Sequence, residues 1–299
     1  MYIEIESFGE IVKNIYFELK NMTEKEIIVI LDPDMIESNE GGRLEVGENF
    51  KIYIVDKSRE DIVLHEFFHI YFRLKQYPSV YYYPDMIEKN CYKLGCVIAD
   101  WVIHKLILEE EEKRNIKLNL QNEEILKKLN GLIENFEIKE RKDYMDLIIT
   151  CVTYYFECTE KEFVITLLEK NFPEIYHWQK ELIDIVEKMQ IPNSPFRVGR
   201  TITKLYKKID DIALNFKLDT MELYKNIMLE TIFTKRQLNL NMEQVFNFEQ
   251  LKNGQKYLEL KATKQNGVYI MPEDEEERIM KMTVREFYNY KNAPLLIKK

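Results

Sequence analysis

Apolar positions in the first third of the chain recur with two periods. Ile11, Val12, Ile15, Tyr16 and Leu19 follow helical spacing, with Ser7 ahead of them as a cap. "EIIVILD" at 26–32 is a short β-branched run stopped by Asp32-Pro33-Asp34, which predicts a strand ending in a turn. "RLEV" at 43–46 and "FKIYIVD" at 50–56 flank Gly47-Glu48-Asn49 and predict a hairpin. A helix is predicted from Ser58, with Asp61 in a weak capping-box position, to about Gln76. The aromatic stretch "YPSVYYYP" at 77–84 reads as a loop, and Pro84 stands ahead of a second long helix from Asp85 to Lys113.

Beyond residue 115 the periodicity is mostly helical, over 122–135, 139–157, 160–171, 173–189, 198–215, 219–233 and 242–252. The alternation in "KYLELKATKQNGVYIMP" (256–272) predicts a late β-hairpin turning at Asn266-Gly267. A last helix is expected near 283–291, where Thr283 and Glu286 fit a capping box. The fold class read from this pattern is α+β and predominantly helical: a small antiparallel sheet with two long helices, then a mostly α-helical region carrying the hairpin. The charged stretch 110–121 divides an expected first domain, 1–113, from a second, 114–299. The acidic runs 109–112 and 273–277 read as solvated helix ends.

Composition narrows the function classes. A chain of 299 residues that is 45% hydrophobic and 32% charged has the balance of a globular protein. Its net charge of −9 gives no reason to expect a nucleic-acid partner. The first residues lack the basic start and apolar core of a secretory signal, and the longest apolar runs are too short and too ionisable to span a bilayer. Four cysteines (Cys91, Cys96, Cys151, Cys158) lack zinc-ribbon spacing and read as reduced thiols of a cytoplasmic protein.

The chemistry concentrates in "DIVLHEFFHIYF", residues 61–72, where His65-Glu66-Phe67-Phe68-His69 forms HExxH. On a helix, positions i and i+4 share a face, so both imidazoles can reach one zinc ion. Glu66 is rotated to the side of the metal, where it can take a proton from zinc-bound water and pass it to a leaving amine. Apolar residues cover nearly every side of the helix, and a buried His-Glu-His set is costly unless a metal satisfies it.

From this motif, with strands before it and a second helix after it, the sequence resembles the zincin metallopeptidases over roughly residues 25–110. The resemblance implies a zinc-dependent hydrolase of restricted protein or peptide substrates. His65 and His69 would be ligands, Glu66 the general base, and the 50–56 strand the acceptor of substrate backbone by strand addition. The helical region after 115 would form the far wall of the cleft. A catalytic zinc needs a third protein ligand. Asp100, isolated in "CVIADWVIHKLI", is favoured, with His104 one turn on as second-layer support; Glu88, eighteen residues beyond His69, is the alternative. One of Tyr81, Tyr82 and Tyr83 is a candidate oxyanion donor. His177, beside Trp178, reads as a packing histidine. A different class of function is a catalytically inactive zincin-derived scaffold that binds a protein partner, although the presence of Glu66 argues against it.

Overall fold

A computed structural model describes residues 1–34, 42–81, 89–116, 119–189, 194–251, 254–270, 275–291 and 296–297. The fold is α+β and predominantly helical. The chain divides into two compact units, Met1–Gln76 with Leu106–Ile125, and Tyr77–Lys105 with Leu126–Lys299.

In the first unit β1 (Tyr2–Ile3) precedes α1 (Glu10–Lys20), β2 (Ile27–Leu31), the hairpin β3 (Gly42–Val46) and β4 (Phe50–Ile54), and α2 (Glu60–Leu74). The strands form one sheet in the order β1-β2-β4-β3. β2 and β4 run parallel, in register from Ile27↔Phe50 to Leu31↔Ile54, while β3 pairs antiparallel to β4. Alternation directs Phe50, Ile52 and Ile54 inward, where they are 0–3% exposed. From α2, Val63, Phe67, Phe68 and Ile70 are fully buried, as an all-round apolar helix requires. The predicted caps differ in detail. α1 begins at Glu10 behind Gly9, and the Ser7 hydroxyl donates instead to the Glu4 carbonyl at 2.7 Å. Ser58 bonds to Asp56, and α2 starts behind Arg59 with no side-chain cap.

β4 is paired on both sides, so its backbone cannot take up substrate as the sequence had suggested. Among the described strands the outer edge on that side of the sheet belongs to β3.

The second unit opens with β5 (Val80–Tyr81) and most of α3 (Lys89–Lys113), whose continuous helix is shared between the units at Lys105/Leu106. α4 (Asn119–Asn135) is likewise divided, at Ile125/Leu126, and α5 (Arg141–Glu157), α6 (Lys161–Asn171), α7 (Pro173–Glu187) and α8 (Pro195–Asn215) lie wholly in the second unit. Short elements follow: α9 (Leu223–Asn226), β6 (Met228–Leu229), β7 (Ile232–Phe233), α10 (Met242–Val245), β8 (Phe246–Gln250), β9 (Lys256–Leu260), β10 (Gln265–Tyr269), α11 (Glu276–Lys281), α12 (Val284–Tyr290) and β11 (Leu296–Ile297). β5 pairs with β6, β7 with β11, and β8-β9-β10 form an antiparallel sheet. Phe233, Phe246, Leu258 and Phe287 centre its core.

Two predicted helices are replaced here. Over 219–233 only Leu223–Asn226 is helical, because Glu222 takes a left-handed conformation (φ 45°) while the Asp210 carboxylate accepts the Met221 and Glu222 N–H groups at 3.0 Å. Over 242–252 the helix stops at Val245, and Phe246–Gln250 enter the sheet against β9. Short apolar runs fit either period, and tertiary pairing decides between them. The late hairpin forms, but it turns at Lys261–Lys264, with Lys264 at φ 61°. Asn266 and Gly267 lie inside β10 at a register shift. The capping box of Thr283 and Glu286 is present. Among the described residues no helix is long and apolar enough to cross a membrane.

Candidate metal centre

α2 presents His65 and His69 on consecutive turns, and their Nε2 atoms face each other at 3.2 Å. α3 runs back past this face. Its last turns reach the start of α2, where the Asp61 charge acts on Glu111. Because α3 is one unbroken helix, His104 rides on the same rod as Leu106–Lys113 of the first unit. One ring nitrogen from each of His65, His69 and His104 lies within 4.8 Å of the other two.

Burial drives the His65 imidazole down to about 4, an effect that the nearby Asp61 carboxylate opposes. His69 is pushed to about 3 by burial and by the His65 charge. Both rings are therefore neutral near pH 7, the protonation state in which imidazole binds a metal. Three converging imidazole nitrogens with no acidic member form a donor set of the kind zinc takes, and the three side chains present fit that ion. Glu66 is 8% exposed, on the same helix between the two histidines.

The third nitrogen in this group comes from His104, the residue that the sequence assigned to a supporting role. Asp100, one turn earlier on α3, is not a member of the group. It is partly buried, and its carboxyl is pushed up to about 7 by burial and then by the like charge of Glu157. Glu157 is raised to about 7 as well, mainly by burial, against the pull of Lys128. Glu88, Tyr82 and Tyr83 lie outside the described residues. The Tyr81 hydroxyl donates to Glu230 at 2.6 Å. His177 is exposed, its ring centroid 4.2 Å from that of Trp178.

One residue of the centre's surroundings was overlooked. Within the acidic run 109–112, Glu111 is only 1% exposed and neither carboxylate oxygen has a hydrogen-bond partner. Burial, followed by the Asp61 charge, raises it to about 8, so it is protonated at neutral pH. The available signal was its spacing: Glu111 follows His104 by seven residues, two helical turns, and so shares its face.

No family model, curated protein or solved structure matches the chain.

Proposed function

We propose that the chain is a zinc-dependent peptidase in which His65, His69 and His104 hold the ion and Glu66 is the general base. The observation that carries this reading is the meeting of three ring nitrogens beside the glutamate of an HExxH helix. A purely structural site would have no need of that carboxylate. When bound, the ion acts as a Lewis acid toward water and the scissile carbonyl, and three neutral ligands leave its charge undiminished.

The remaining steps belong to the side chains. Glu66 takes a proton from the attacking water as the new C–O bond forms. It then delivers that proton to the amide nitrogen as the C–N bond breaks. The three imidazoles hold their positions because α2 and α3 are both anchored in apolar packing. Substrate backbone would add antiparallel or parallel to the outer edge of β3 (Gly42–Val46), which the sheet order favours over β4. A cytoplasmic setting and restricted peptide or protein substrates remain part of this proposal. It is supported by the four cysteines, none of which forms a disulfide.

The test is Glu66→Gln, assayed with a quenched-fluorescent peptide pool and with zinc analysis of the same samples. Retained zinc with hydrolysis reduced roughly 10²- to 10⁴-fold is expected. A zinc-loaded wild type as inert as the variant would contradict the peptidase reading and favour a partner-binding scaffold.

A further inference from the structure

Gly42 is the first residue of β3, and its α-carbon faces α2. A Cβ built there would clash with the Ile62 Cγ2 methyl group at 2.4 Å and lie 3.2 Å from Glu66 Oε1 and 3.5 Å from the Tyr53 carbonyl oxygen. The backbone at Gly42 is not left-handed; Gly254 is the glycine with positive φ among the described residues. Conformational freedom is therefore not what this position uses. It uses the missing side chain, which lets the strand's main chain lie directly against α2 at the carboxylate.

Glutamate has three rotatable bonds, and a general base works only when its oxygens are held within a fraction of an ångström. α2 fixes the Glu66 backbone, and the contacts of its side chain set where the carboxylate lies. On the sheet side, the missing Cβ at Gly42 leaves room for Glu66 Oε1, which an ideal Cβ would approach to 3.2 Å. Its two side-chain neighbours can be separated experimentally, since Ile62 is a packing contact and Glu66 is the chemical one, while the Tyr53 carbonyl at 3.5 Å is at ordinary contact distance.

We propose that Gly42 is a positioning residue for Glu66, setting its carboxylate by close main-chain approach; this rests on the reading of Glu66 as general base. An alanine at 42 disturbs both neighbours. Shortening Ile62 relieves the packing clash and leaves the approach to Glu66 in place.

The experiment compares wild type, Gly42→Ala and Gly42→Ala/Ile62→Ala in the full chain loaded with zinc. Zinc content, thermal unfolding, hydrolysis of the peptide pool and the ¹³C-carboxyl titration of Glu66 are measured, the resonance being assigned by its loss in Glu66→Gln. The double variant is expected to regain the stability lost by Gly42→Ala and to keep its zinc. Its kcat should still fall roughly 10- to 100-fold with little change in KM, the scale of a misplaced reacting group. The Glu66 titration midpoint should shift as well. A stable double variant with an unchanged midpoint, or with kcat restored, would overturn the proposal and leave Gly42 a packing role alone. If wild type hydrolyses no peptide, the general-base reading fails, and the midpoint still decides whether Gly42 positions the carboxylate.

Discussion

The Nε2 atoms of His65 and His69 lie 3.2 Å apart on consecutive turns of α2, with both rings held neutral by burial. Two imidazolium ions could not sit this close, so the pair is tuned for a cation or a shared hydrogen bond.

One consequence concerns acid. Histidines of ordinary pKa begin to lose a metal near pH 6.5. Here the folded values are depressed to about 4 and about 3, so protons compete with zinc only well below pH 6. Competition against a chromophoric chelator should give a nearly flat zinc affinity from pH 7 to 5, then a steep fall. The same depression removes folding stability as pH drops from about 6.5 toward the folded values, because the unfolded chain binds those protons first. Affinity falling by half a decade or more between pH 7 and 6 would contradict the site's burial.

Glu111 predicts the opposite slope. Its folded value is raised to about 8, so the folded state holds a proton that the unfolded state gives up above about 4.5. Its contribution to stability therefore declines as pH rises from about 4.5 through 8. Glu111→Gln should flatten that decline and stabilise the protein at pH 9 by on the order of 2 kcal/mol. Equal pH slopes for wild type and variant in chemical denaturation would count against it.

Asp100 and Glu157 make a related prediction for the second unit. Each is raised to about 7, chiefly by burial, and Glu157 adds its like charge to Asp100. Asp100→Asn removes one charge of the pair, so melting temperature at pH 8 should rise while that at pH 5 changes little. Zinc content should stay at the wild-type level in the same samples.

Much of this was legible in the chain. The His-Glu-His helix and the β3–β4 hairpin follow from local patterns, since i, i+4 spacing and a Gly-containing loop act over few residues. The residue proposed as third ligand depends on distance along α3. α2 runs five residues past His69 to Leu74, and the chain then passes through β5 before α3 returns antiparallel. His104, one turn beyond Asp100, is the α3 residue whose ring nitrogen groups with those of His65 and His69. Glu111 was masked by its acidic neighbours, because a charge run on one side of a helix conceals the single member that faces inward. The open edge of the sheet was also hidden, since β2 pairs with β4 from outside the hairpin and no local pattern encodes that crossover. Met228–Phe233 fit a helical period, yet strand pairing with β5 and β11 overrode it.

Zinc stoichiometry of His104→Ala beside Asp100→Ala, measured by elemental analysis after chelation and reloading, tests the central claim most directly. The wild type and Asp100→Ala should each hold one ion per chain, and His104→Ala should lose affinity by at least about a hundredfold while remaining folded. Zinc retained by His104→Ala and lost by Asp100→Ala, or a wild type that takes up no zinc, would contradict the three-histidine centre.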